Sequence, residues 1–216
     1  MRINSEYILI ENPMTGNEAI GSALGLNPRR EDESPYLLPT EARKLFDPEA
    51  WKERKKMILV RLPDARFASA AARWCRENNA HKELNPYQRA AAVFDQVLQG
   101  EEYPIYFRPQ SEWLTCQYDL ILATHDIALW ANINQIFVAR QTWNHYGSPY
   151  HCLVSPALLV SLKKFYEEDY QKFETLPLWS PDPSVVRLLR GFCPPCEEKM
   201  VEKAVKQQRR RRRSSK

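Results

Sequence analysis

Met57 to Leu62 read Met-Ile-Leu-Val-Arg-Leu, Pro63 closes the run, and two helical patterns follow it up to Gly100. This strand-helix-helix order constrains the fold more than any other feature, because a six-residue strand cannot stand alone. Period two sends Ile58, Val60 and Leu62 to one face and Met57, Leu59 and Arg61 to the other. The first face is uniformly aliphatic. The second carries the cation.

Pro63 has the φ of a first helical turn, and Asp64 places a carboxylate at the positive end of the helix dipole. Phe67, Ala70, Ala71, Trp74 and Cys75 then form one stripe at helical spacing, and Asn78 and Asn79 suit its end. Asn85, Pro86 and Gln88 announce a second helix, whose apolar positions are Tyr87, Ala90, Ala91, Phe94, Val97 and Leu98. A strand and two helices over about 45 residues bury too little apolar surface to fold alone. Two copies pairing their strands about a two-fold axis would cover Ile58, Val60 and Leu62 and leave Met57, Leu59 and Arg61 outward. The alternative is an ordinary core strand in a mixed domain, with Arg61 a solvated charge.

The stretches VRLPDARFASAAARWCRENN and NPYQRAAAVFDQVLQG resemble the ribbon-helix-helix DNA-binding superfamily, over about a fifth of the chain. The resemblance implies a homodimer, or a higher oligomer, with its two-stranded ribbon in the major groove of double-stranded DNA. The base-reading positions become Arg61, Leu59 and Met57. Arg61 suits the O6 and N7 acceptors of guanine, and Met57 and Leu59 suit thymine methyls. A phosphate anchor is implied at the start of the second helix, at Asn85, Tyr87 and Gln88. Local charge agrees with DNA contact: Lys52, Arg54, Lys55, Lys56 and Arg61 face only Glu53, which places Arg54, Lys55 and Lys56 on the backbone.

With 216 residues, 44% of them hydrophobic, the chain has a core to bury. No apolar run approaches the roughly 20 residues of a membrane span, and MRINSEYILIENP has no signal-peptide pattern. A soluble cytoplasmic protein with no membrane partner is expected. Five scattered cysteines, at 75, 116, 152, 193 and 196, fit reduced thiols.

The flanking regions are read more coarsely. INSEYILI suggests a strand and Thr15 to Leu26 a short helix, while NPRREDESPYLLPTEARKLFDPEAW suggests an arm with a helical turn over residues 41–46. Such an arm either packs on the protein or contacts DNA or the partner subunit. YPIYFRP suggests a strand at 103–107. From Glu112 to about Trp143, Leu114, Tyr118, Ile121, Leu122, Leu129, Ile133, Ile136 and Phe137 suggest one long helix. Ser155 and Pro156 start another, with Leu158, Leu159, Leu162, Phe165 and Tyr166 as its stripe, and Asp182 and Pro183 a shorter one. The expected fold is mainly α with a short intersubunit β-ribbon: an arm over 1–51, a ribbon-helix-helix module over 52–100, a mostly helical extension over 101–192 and a basic tail over 193–216.

Chemistry is quiet. His125 and Asp126 are adjacent in the expected long helix and would point apart. His145, His151, Cys152, Cys193 and Cys196 are metal-ligand types, but a single CxxC is a weak signal, and no thioredoxin-like strand precedes CPPC. No glycine-rich phosphate loop, GxSxG or HExxH occurs. Neither enzyme activity, metal nor cofactor is expected.

Arg209, Arg210, Arg211, Arg212 and Arg213 form a sequence-blind clamp on phosphates or a solvated tail. LATHDIALW and LLRGFCPP are similar to segments of the AcaB-type transcriptional activators of conjugative plasmids and integrating conjugative elements, which implies an activator of transfer genes. The expected function is therefore a homodimeric, sequence-specific DNA-binding transcriptional regulator. The alternative is a helical interaction or assembly protein whose basic tail binds nucleic acid or an acidic partner.

Overall fold

The computed structural model describes residues 1–28, 36–100, 104–137 and 150–182. Its strands are β1 (Arg2–Ile3), β2 (Tyr7–Ile10), β3 (Asn27–Pro28), β4 (Lys55–Val60) and β5 (Leu120–Ala123). They make one sheet in the order β3-β1-β2-β4-β5. β1 is antiparallel to both neighbours, whereas β2, β4 and β5 run parallel, with Ile10 beside Ile58 and Ile58 beside Ile121. The three parallel strands carry the runs YILI, MILV and LILA. Parallel strands are covered on both faces, so they read as continuous apolar runs rather than as alternation.

Both faces of β4 are sealed. Met57 and Leu59 join Leu9 and Leu122 against Ile20 of α1 (Asn17–Ala23) and Ile127, Trp130 and Ala131 of α6 (Ile127–Ile133). Ile58 and Val60 join Ile8, Ile10 and Ile121 against Ala42 of α2 (Pro39–Lys44), Trp51 of α3 (Pro48–Glu53) and Trp113. A third cluster lies between helices. Phe67, Ala70, Ala71 and Cys75 of α4 (Pro63–Glu77) meet Ala90, Val93, Phe94 and Val97 of α5 (Pro86–Gln99), with Leu158 and Leu162 of α7 (Pro156–Phe165). Phe67 stacks edge-on against Phe94 at 5.7 Å between ring centroids. α8 (Glu167–Thr175) follows α7 after a break at Tyr166.

The intersubunit ribbon is not the structure. The strand pairs with β2 and β5 of its own chain, and Met57 to Val60 are all 0% exposed. The fold is a mixed five-stranded sheet with helices on both faces and a helical layer built on α4, not a mainly α module around a two-chain ribbon. The reason is that pairing is non-local: β2, within the INSEYILI stretch expected to be a strand but placed in an arm outside the module, and β5, over residues expected to form a helix, supply the two neighbours that a second subunit was to provide.

The two helices after the strand stand as expected. Pro63 and Pro86 each sit in the first turn, and Asn85 Oδ1 accepts from Tyr87 N and Gln88 N at 3.0 and 3.1 Å. Other expectations are corrected. The long helix from 112 is instead a 3₁₀ turn at Gln110–Glu112, strand β5, a 3₁₀ turn at Thr124–Asp126 and α6. Four apolar residues in a row satisfy either period, and β4 offers them a ladder. Residues 138–143 of that expected helix lie outside the described residues. The strand at 103–107 is a 3₁₀ turn at Ile105–Phe107, because Pro104 and Pro109 remove ladder donors on either side. The short helix expected from Asp182 lies almost wholly outside the described residues. Among the described residues, no helix is long and apolar enough to cross a membrane.

If β4 is sealed on both faces, Leu59→Ala should lower stability by about 2 to 5 kcal/mol through the lost methyls and the cavity. An outward Leu59 would give a loss within about 0.5 kcal/mol. Urea unfolding of the two proteins separates these outcomes.

Candidate functional site

The expected DNA-contact residues are not brought together. Met57 and Leu59 are inside the sheet, where no base can reach them. Arg61 follows β4 and is half-buried, with Nη1 donating to Ser69 Oγ at 2.6 Å and to Met14 O at 3.5 Å. Lys55 and Lys56 lie at the other end of the strand, about 20 Å away at 3.3 Å per residue.

These lysines already have protein partners. Lys55 Nζ meets Glu6 Oε1 at 3.0 Å, which holds the ammonium pKa above its usual value and the carboxylate below. Lys56 Nζ donates to Arg54 O at 2.9 Å and Trp51 O at 3.2 Å and lies 3.6 Å from Asp119 Oδ2. Arg54 Nη1 reaches Ala50 O at 3.4 Å. The exposed Lys55–Glu6 pair is weak and exchanges partners readily, whereas the Lys56 side chain is 15% exposed and committed to its carbonyl partners. Asn85, Tyr87 and Gln88 are exposed, but the cap uses the backbone N–H groups expected to hold a phosphate, and Gln88 Oε1 accepts from Asn85 N at 3.1 Å. Arg209 to Arg213, Cys193, Cys196 and His145 lie outside the described residues.

What the sheet does gather is a polar cluster at the carboxyl ends of its parallel strands, where ligands bind in open α/β sheets. The turn after β2 reaches it through Gly16 at φ 94°, where a Cβ would come within 3.0 Å of Ile127 Cδ1. Asn12 Nδ2 donates to Leu59 O at 3.0 Å and to Gln110 Oε1 at 2.8 Å. Gln110 Nε2 donates to Arg61 O at 2.7 Å, and Arg61 N donates back to Gln110 Oε1 at 3.2 Å. Thr124 Oγ1 shares its proton between Thr15 O at 2.8 Å and Val60 O at 3.1 Å. Asn12, Thr15 and Gln110 are fully buried.

Buried charge holds the loop that carries Gln110 in place. Asp169 accepts from Gln110 N at 2.9 Å and Ser111 N at 2.7 Å. Burial pushes its carboxyl pKa up, and Arg66 and the two N–H groups oppose that shift. Arg66 is 1% exposed and donates to the carbonyls of Tyr106, Pro13 and Arg108, with its guanidinium 5.8 Å from the Tyr166 ring centroid. Burial pulls its pKa down. His125 and Asp126, expected to point apart, lie 3.5 Å apart between Nε2 and Oδ2 in the 3₁₀ turn after β5.

The arrangement is a lock on the ends of the parallel strands. Its named donors close the strand-end carbonyls and tie three loops into one unit. One acceptor there stays open: Asn12 Oδ1 has no hydrogen-bond partner among the described residues. Among the same residues, no group of three His, Cys, Asp or Glu side chains is placed to hold a metal ion. Sequence reasoning missed Asn12, Gln110, Thr124 and Asp169. The available signal was the polar turn ENPMTGN directly after an apolar run, the pattern of a strand end; nothing local marks Gln110 or Asp169.

Compared with protein-family models, curated proteins and solved structures, the chain matches none.

Gln110→Ala would leave the Arg61 carbonyl and the Asn12 amide short of partners in a buried place, with an expected loss of about 2 to 4 kcal/mol. Denaturant unfolding checks this, and a loss under about 0.5 kcal/mol would mean that water replaces the amide there.

Proposed function

We propose that the protein binds double-stranded DNA through its C-terminal basic segment and serves as a DNA-bound regulator, with the α/β body making the contacts that decide where it acts. One observation carries this reading, the division of charge along the chain. Residues 183 to 216 hold eleven Lys and Arg against three Glu, a net of +8. The whole chain is +4, so residues 1 to 182 are at −4. A body of that sign is repelled by phosphates, whereas five consecutive arginines release condensed counterions on contact.

Base reading by a ribbon has no place in this proposal. What remains of the regulator reading is an activator of transfer genes, which rests on the resemblance of LATHDIALW and LLRGFCPP. The first of these spans the end of β5, the following turn and the start of α6. The competing reading, an interaction or assembly protein with a nucleic-acid-binding tail, draws on α6. There Leu129, Ile133 and the following Phe137 are 38%, 53% and 86% exposed, four residues apart. A second copy of the chain is the natural candidate for that stripe, and a homodimer belongs to both readings.

Deleting residues 209–213 should weaken binding to random duplexes about equally and flatten the slope of log K against log salt by about 4.5, at about 0.9 per phosphate contact. Fluorescence anisotropy at several salt concentrations measures it. An unchanged slope would remove the proposal, and a preference for single-stranded RNA or an acidic protein over duplex would favour the competing reading.

A further inference from the structure

The C-terminal turn of α4 meets the chain that leads into α7. Cys75 lies in that turn and Cys152 lies four residues before α7, and they share a cluster with Phe67, Phe94, Leu158 and Leu162. They are 0% and 3% exposed and each thiol perturbs the other, while Cys152 Sγ donates to Tyr150 O at 3.6 Å. Three contacts hold the two segments in this position. Tyr150 Oη donates to Asn79 Oδ1 at 2.7 Å, Leu153 N donates to Pro86 O at 3.0 Å, and Arg89 Nη1 reaches His151 O at 3.5 Å. Arg89 is itself tied to the turn between α4 and α5 through His81 O at 2.8 Å and Lys82 O at 2.7 Å.

The two sulfurs are not equivalent. The adjacent Cys152 thiol, helped by the nearby Arg89 guanidinium, holds the Cys75 thiol below its ordinary pKa. Cys75 beside it, with burial, pushes Cys152 up. Buried cysteines are most often plain small apolar residues, inert because nothing activates them. Two thiols side by side near a cation differ from that case, since a sulfur that is oxidised has a second thiol within reach to resolve it.

We propose that Cys75 and Cys152 are a redox pair that closes to a disulfide when the protein meets a peroxide. The Cys75 thiolate attacks one peroxide oxygen and the O–O bond breaks, which leaves a sulfenic acid on Cys75 and a hydroxide that takes up a proton to become water. The Cys152 sulfur then attacks the Cys75 sulfur, the S–O bond breaks, and the departing hydroxide leaves as a second water with the Cys152 proton. Two thiols lose two electrons and one hydrogen peroxide becomes two waters. The bond joins residues far apart in sequence and fastens the segment entering α7 to the helical layer, so the oxidised protein melts at a higher temperature. This inference is independent of DNA binding.

The test uses the full chain, treated with dilute hydrogen peroxide, unfolded with an alkylating agent and digested with trypsin without reduction. Trp74 to Arg76 should appear joined to the peptide of residues 141–163, about 2 Da below the sum of the two, and dithiothreitol should separate them. The triple variant Cys116→Ser, Cys193→Ser, Cys196→Ser should form the same link, with a raised melting temperature. Cys152→Ala should stop Cys75 at the sulfenic acid, where dimedone traps it. The proposal is overturned if oxidation of the unaltered protein joins only Cys193 to Cys196, or leaves Cys75 and Cys152 as alkylated thiols. That map decides even if a variant does not fold.

Discussion

The structure depends on one strand being satisfied on all four sides. β4 has a parallel neighbour at each edge and an apolar layer on each face, so its backbone groups and its side chains are both removed from water. An unpaired buried N–H or C=O is costly, and pairing on both edges is what makes full burial tolerable. The consequence spreads outward. β2 and β5 must lie where β4 can reach them, and α1 and α6 must cover one face while α2 and α3 cover the other. The chain leaving β4 at Arg61 must turn at once into α4, because Pro63 ends the ladder and begins the helix.

The same constraint decides what the body can offer a partner. A ribbon that reads a groove needs one wet face and one free edge, and β4 has neither. The strand ends of a parallel sheet would be the next place to expect a ligand, but here Asn12, Gln110 and Thr124 fill that place and donate to the carbonyls of Leu59, Arg61 and Val60. Protein side chains therefore occupy the positions that a phosphate or small molecule takes in other sheets of this kind. In the proposed function, recognition therefore rests on the charge of residues 183–216 and not on the strand ends.

Legibility followed the range of the interaction. α4 and α5 were readable because their signals are local: a proline in each first turn, Asn85 capping Tyr87 and Gln88, and stripes in which Phe67, Ala70, Ala71, Phe94 and Val97 are buried. The strand itself was readable too, and so was a strand in INSEYILI where β2 lies, but their pairing was not. YILI, MILV and LILA lie more than 40 residues apart in sequence, and a short apolar run does not say whether it will be buried on one face or two. Treating MILV as an alternating strand gave it a wet face, and that single choice produced the ribbon, the outward Met57 and Leu59 and the dimer that was to pair them. LILA failed for the matching reason, since Leu114, Tyr118, Ile121 and Leu122 also fit a helical period until a neighbouring strand offers hydrogen bonds.

The polar residues were the least legible, and their chemistry explains it. Arg66 lies on the helix stripe side of α4, where a cation has no place by pattern alone; it is tolerated because Pro13, Tyr106 and Arg108 turn carbonyls toward it and Asp169 lies near. Asp169 is tolerated because two backbone N–H groups face it. Each buried charge is permitted only by loops that the other helps to hold, so neither has a signature in its own stretch of sequence. Arg89 repeats the arrangement one layer away: it collects the carbonyls of His81, Lys82 and His151, and in doing so fixes the turn between α4 and α5 against the chain that carries Cys152. The guanidinium thus adds a polar tie to the Tyr150–Asn79 and Leu153–Pro86 contacts, so the position of the thiol pair depends on the polar layer as well as on the hydrophobic cluster around it.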